Sequence, residues 1–304
     1  MQSQRIVHFI TQSPGGSLFD VLETQAKLPS AKSRELFALG SLYLNKVRMT
    51  DPETQLQPGD YLRIHSEPRR YQKPPSLSER FLLETKDWWV IDKPSGVSCH
   101  ATVDNDAEHL LAWLREDLKM NFYITHRLDV PTSGCLVLGK TTESVGKFNN
   151  LMIKNRVHKQ YETLVEGSWT QTGLLTHWMK KDNWAPREVY SEEQPDTLRC
   201  DLEILSAEPL REFTKLRLRL LTGRTHQIRA QMKHLGHPVL NDEMYGAIKI
   251  KPQENIALRA CHLQIHVSPD EFHQIEAPTD WNSWLENGSH PFNPKSPNDT
   301  QSHR

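Results

Sequence analysis

Cysteine is scarce in this chain, with four in 304 residues. Cys99, Cys135, Cys200 and Cys261 lie far apart and form no C-x-x-C pair. That excludes a zinc knuckle and a disulfide framework, and it points to a reducing compartment. Net charge is nearly absent too: 37 Lys and Arg stand against 38 Asp and Glu. A polyanionic partner therefore needs a local patch, because no global basic excess advertises it. No apolar run reaches the length that spans a bilayer. The opening Met1-Gln2-Ser3-Gln4-Arg5 begins no apolar signal core. A cytoplasmic protein with no membrane partner is the expectation. There is no G-x-x-x-x-G-K and no G-x-G-x-x-G, so no nucleotide cofactor is expected. G-x-S-x-G is missing, and Ser133 has no convincing histidine base. His226, His234 and His237 follow no zinc spacing, so no metal is expected.

What is present fits a soluble globular protein, with 37% hydrophobic and 25% charged residues. Residues 1–65 read as a small α+β module. Leu18, Phe19, Val21, Leu22 and Ala26 suit one helix face. Pro29-Ser30 opens a second helix with Ser30 as its cap, and Gly40 stops it. Leu42–Leu44 and Tyr61–Ile64 read as strands bounded by turns at Asn45-Lys46 and Pro58–Asp60. Residues 66–79, rich in proline and charge, predict a solvated linker. A continuous apolar pattern from 80 to 288 predicts one larger domain, and 289–304 a disordered tail. The run from Lys180 to Thr197 looks inserted and has no assigned role.

Two stretches carry chemistry. The first is His126-Arg127-Leu128-Asp129-Val130-Pro131-Thr132-Ser133-Gly134. Pro131 fixes its own φ and biases Val130 toward extended backbone, while Gly134 permits positive φ. Asp129 is thus held on a short rigid loop, ahead of the apolar strand Cys135–Leu138. A salt-bridged turn and a functional carboxylate both fit this alone. The second stretch, 205–235, holds seven cations and only the acids Glu208 and Glu212. Lys215, Arg217 and Arg219 alternate with leucines, predicting a strand with one buried and one cationic face. Gly223–Arg229 leads into a helix ending at Gly236, with Thr222 or Thr225 as cap. On it Ile228, Met232 and Leu235 face the core, and His226, Arg229 and Lys233 share another face. A helix start flanked by Arg224, His226 and Arg229 suits an anion. A solvated basic surface also fits. Tyr161, in the strand Lys159–Gly167, reads in the usual case as a core aromatic with its hydroxyl paired at the edge, and in the sharper case as a platform for a base.

Together these stretches resemble one family. H-R-L-D-x-x-T-S-G at His126–Gly134, K-x-Y at Lys159–Tyr161 and G-R-T-H-Q-I-R at Gly223–Arg229 are similar to the hallmarks of RluA-type pseudouridine synthases, in the family's order. Val90–Val97 resembles its V-x-x-K-P-x-G segment. Leu235–Asp242 with Tyr245-Gly246 resembles its L-G-x-P-I-x-G-D-x-x-Y-G segment, with Asn241 where glycine is usual. The N-terminal module loosely resembles the ribosomal-protein-S-four-type RNA-binding domain, departing from it at Gly40–Lys46. The resemblance implies an α+β fold, with a mixed, largely antiparallel central sheet and peripheral helices, beside a small N-terminal α+β domain. It implies isomerisation of uridine to pseudouridine in ribosomal or transfer RNA by a monomer without cofactor or metal. Asp129 would be catalytic, with Arg229 as its partner ahead of Arg224, and Tyr161 would stack on the uracil. Arg127 would fill the space of the flipped nucleotide. His126, Arg224, His226, Lys215, Arg217 and Lys233 would hold RNA. A glycosidase-like hydrolase would instead need a second acid near Asp129, with Asp92 the nearest candidate.

Overall fold

The computed structural model describes residues 6–182, 184–250, 255–277 and 279–287. The tail expected at 289–304 lies outside these. The chain divides into two compact units, Met1–Lys73 with Ser98–Glu116, and Pro74–Val97 with Asp117 onward. Among the described residues no helix is long and apolar enough to cross a membrane.

The first unit packs two helices, Leu18–Thr24 and Ser30–Ala38, on an antiparallel four-stranded sheet. The strand order is Ile6–Ile10, Tyr61–His65, Leu42–Leu44, Val47–Arg48. Leu18, Leu22, Leu36, Leu42, Leu62 and Ile64 are buried between the layers. Ser17 caps the first helix, its hydroxyl accepting the Asp20 N–H. Ser30 does not cap the second: Pro29 takes the cap position and Ser30 is already helical. Nor is 66–73 a solvated linker. Arg69 forks onto the buried Asp104, Arg70 pairs with Glu108 and Glu35, and Tyr71 is buried. These ion pairs tie 66–73 and 98–116 into one unit with the N-terminal module.

The second unit is built on an eleven-stranded sheet. Its main path runs Val189–Tyr190, Gly173–Lys180, Thr197–Leu210, Phe213–Leu220, Val157–Glu166, Leu258–His266, Ser133–Gly139, Trp88–Lys93, Phe81–Glu84. Every pairing is antiparallel except Ser133–Gly139 against Leu258–His266. This is the mixed, largely antiparallel α+β sheet that the family resemblance implies. One face carries the helix Thr142–Ile153, whose Phe148 packs with Trp88, Cys135, Val137 and Leu263. The same face carries the helix Gln227–His234, through Ala230 against Met179 and Cys200. Trp281 and Trp284 of the short helix Trp281–Asn287 cover Leu164 on the other face.

Candidate active site

The Asp129 loop is clamped from below by the turn after Trp88–Lys93. The ammonium of Lys93, fully buried, donates to the carbonyls of Pro94, Val97 and Val130 at 2.9, 2.9 and 3.2 Å. Ser95 Oγ donates to the Pro131 carbonyl, and the Gly96 N–H to that of Val130. Thr132 N–H closes a turn onto the Asp129 carbonyl at 3.0 Å. Beyond it Gly134 sits at φ +109°, and a Cβ there would lie 2.2 Å from the Ala260 carbonyl oxygen. Only glycine lets the two parallel strands approach this closely. Arg259 donates to Ser133 Oγ and Asp92 and so fixes the strand's start.

This leaves the Asp129 side chain one-fifth exposed, with Oδ2 3.2 Å from Arg229 Nη1. Arg229 is 3% exposed. Its Nε and Nη2 donate to the two oxygens of Asp242 at 2.6 and 2.9 Å, and its guanidinium lies 5.0 Å from the centre of the Tyr245 ring. Burial works against the charge, but Asp242 and then Asp129 outweigh it and hold the guanidinium above its ordinary pKa. Tyr161 lies in the wall, 5% exposed. Burial, then the charge of Asp129, pushes its phenol up, so it is protonated. Pairing with Leu258–His266 shifts register between Gln160 and Tyr161, where Cys261 of the partner strand is skipped. His226 approaches Asp129 Oδ2 with Nε2 at 3.9 Å, and its Nδ1 is 3.0 Å from Tyr245 OH.

So the structure brings Asp129, Tyr161, Arg229 and His226 together, and Arg127, Arg224 and Lys233 are exposed. Three residues expected to contact RNA lie away from this cluster. His126 turns inward: its Nε2 accepts the Val137 N–H and its ring stacks on Phe148. Burial, then Lys159, pulls it down to about 3, so it is a neutral strut. Lys215 and Arg217 lie on the other side of the sheet from Tyr161. Tyr161 pairs with Leu218, and Glu162 with Arg217, so the cations share the face opposite Tyr161. There Lys215 meets Glu208 at 2.6 Å, Arg217 meets Gln160 and Glu162, and Arg219 meets Glu203. The helix Gln227–His234 also differs from expectation. Its N-cap is His226 at φ +62°, and Thr222 instead donates to the Gln227 side chain. Arg229 is not on a solvent face with Lys233 but buried on Asp242.

Asp242, Tyr245 and Lys93 complete the site, although the sequence marks them only as parts of supporting segments. Neither Asp92, the candidate second acid, nor the nearby Asp242 is placed for hydrolysis. Asp92 is buried on Arg259, and both oxygens of Asp242 are held by Arg229.

A family model described as RNA pseudouridylate synthase matches residues 87–234, which hold Asp129, Tyr161 and Arg229. Over that segment the chain matches the RNA pseudouridylate synthase family. Among its relatives, "RNA pseudouridine synthase 6, chloroplastic" of Oryza sativa subsp. japonica is 31% identical over 65% of this chain and 46% of that protein. "Ribosomal large subunit pseudouridine synthase C" of Escherichia coli (strain K12) is 28% identical over 91% of this chain and 94% of that protein. The chain spans about half the length of the plant relatives it matches. Among solved structures, "Human RNA Pseudouridylate Synthase Domain Containing 1" superposes at TM-score 0.54 with 25% identity, covering 72% of this chain and 91% of that one. The three hallmark segments of the sequence resemble those of the RluA-type synthases.

Proposed function

We propose that this chain isomerises specific uridines in structured RNA, ribosomal or transfer RNA, to pseudouridine. The observation that carries this reading is the partly exposed Asp129 carboxylate, 3.2 Å from a guanidinium that is itself fixed on buried Asp242. The reaction breaks the bond from C1′ to N1 of uracil, turns the base, and joins C5 to C1′. C5 loses a proton and N1 gains one, so composition is unchanged. Asp129 acts as the nucleophile or as the base on the sugar. Arg229 orients it. The protonated Tyr161 borders the uracil as a proton donor; stacking on it requires neighbouring side chains to move off a ring only 5% exposed. A stacked nucleotide must first be extruded, at roughly a few kcal/mol. Exposed Arg127, next to Asp129, fills the vacated space. Arg224 and Lys233, at the two ends of the Gln227–His234 helix, hold phosphates. The name of the bacterial relative, which specifies the large ribosomal subunit, favours ribosomal RNA.

The test is site-resolved pseudouridine mapping of total RNA from cells with and without the gene, complemented by wild type or Asp129→Asn. The expected outcome is a uridine site restored only by wild type. In vitro, Asp129→Asn is expected to lower turnover at least about a thousandfold while RNA affinity stays nearly constant. Appreciable turnover by the variant would remove Asp129 from its role.

A further inference from the structure

Tyr245 stands between two partners. Its hydroxyl oxygen accepts the Arg187 backbone N–H at 2.9 Å and lies 3.0 Å from His226 Nδ1. A phenol has one proton to donate. With Arg187 already donating to the oxygen, Nδ1 is the acceptor that lies within reach of that proton. A neutral imidazole that accepts at Nδ1 carries its own proton on Nε2. The alternative tautomer would leave the phenol proton without this acceptor. It would also turn the Nε2 lone pair toward the Asp129 carboxylate, 3.9 Å away. The phenol cannot swing to another partner. It is 3% exposed, meets the His226 ring edge-on, and has Arg229 over its face. Burial pushes Tyr245 up to about 12 and pulls His226 down, against the opposing pull of Asp129, so both are neutral.

Resting on the synthase reading, we infer that His226 is a positioning residue, locked by Tyr245 as the Nε2–H tautomer, which presents that N–H to the Asp129 carboxylate alongside Arg229. The separation is 3.9 Å, and catalytic hydrogen bonds often tighten only in the substrate complex. His226 is then a donor and not a base. The first link of the chain is the backbone of Arg187, whose side chain bonds Asp182. The otherwise unassigned run after Lys180 thus acquires a role: it seats the phenol that sets the tautomer.

The test is a long-range proton–nitrogen NMR spectrum of the full chain labelled with nitrogen-15 histidine. His226→Asn identifies the His226 signals among the 15 histidines, and asparagine tolerates the positive φ. Wild-type His226 is expected to be protonated on Nε2 only, and Tyr245→Phe to mix the two tautomers. On an RNA that wild type modifies, His226→Asn is expected to lower kcat about tenfold at unchanged KM, the loss of one hydrogen bond to a charged group. Protonation on Nδ1 in wild type, an unchanged tautomer in Tyr245→Phe, or wild-type kcat in His226→Asn would each overturn the proposal. If wild type modifies no RNA, the synthase reading falls and the positioning role falls with it. The spectrum still decides the tautomer by itself.

Discussion

Arg229 bonds Asp242 through Nε and Nη2 and Asp129 through Nη1, so one planar guanidinium joins a buried carboxylate to one that solvent reaches. The two carboxylates are not equivalent. Asp242, 1% exposed, satisfies the fork and sets its direction. Asp129, one-fifth exposed, takes the remaining nitrogen and keeps an oxygen for chemistry. The division of labour follows from burial, because a charge removed from water must be paired and a reacting charge must be reachable.

Asp242→Asn is therefore expected to destabilise the fold. An amide cannot accept both N–H bonds, and it leaves the Arg229 charge buried with only Asp129 beside it. Breaking a buried pair by removing one partner costs about 3 kcal/mol or more. The check is the midpoint of urea unfolding, together with turnover, which should also fall as the guanidinium is drawn toward Asp129. An unchanged midpoint would mean that Asp242 does not hold the fork.

RNA binding separates the two faces of the sheet. Lys215→Ala with Arg217→Ala is expected to leave both affinity and its salt dependence as in wild type. Those side chains lie opposite Tyr161 and are paired with acids. Arg224→Ala with Lys233→Ala is expected to weaken binding and to reduce the slope of log K against log salt by about 2, near one per lost phosphate contact. Binding titrations between low and moderate salt read both. A reduced slope in the first pair would put the RNA path on the far face.

These cations also show where the sequence stops being legible. Alternation shows that Lys215, Arg217 and Arg219 share a face, but not which face holds the site. That depends on strand register, and their partners Glu162, Glu203 and Glu208 come from paired strands. The Asp129 loop is readable because Pro131 and Gly134 act on their own backbone. The bond from Asp129 to Arg229 joins residues 100 apart in sequence, and only family resemblance reaches it. Asp242 as the clamp, Lys93 beneath the loop and the inward turn of His126 have no local signature. Each is a tertiary contact that chain spacing does not encode. The same holds for Arg69 and Asp104, whose pairing places 66–73 in a unit and not in a linker.

Two glycines should respond oppositely to alanine. At Gly134 the φ of +109° is strained for any side chain, and the added Cβ meets backbone of Ala260 that cannot move without parting the strands. Gly134→Ala is expected to cost about 3 kcal/mol or more, or to prevent folding. Gly146 lies inside the helix Thr142–Ile153 with nothing near its Cβ direction. Gly146→Ala is expected to stabilise by up to about 1 kcal/mol. Thermal unfolding of the two variants checks the pair, and a Gly134→Ala protein with wild-type Tm would show that the strands can part.

Acid should loosen the first unit through Asp104. Its side chain is fully buried, and burial alone would raise its pKa, but the Arg69 hydrogen bonds and charge outweigh this and hold it at about 2. The folded pKa is thus below the unfolded value of 3.8. A carboxyl depressed on folding lends stability above its unfolded pKa and loses it as pH falls through the folded one. The difference is worth about 2 kcal/mol, present in full near pH 5 and vanishing toward pH 2. Asp104→Asn should lose stability at neutral pH and flatten this part of the curve. Urea unfolding between pH 6 and pH 2, followed by a probe in residues 6–73, reads both effects. A variant as steep as wild type would move the acid sensitivity to other carboxylates, with Glu108 next, since it too is held below its usual range by Arg70 against the opposing pull of burial.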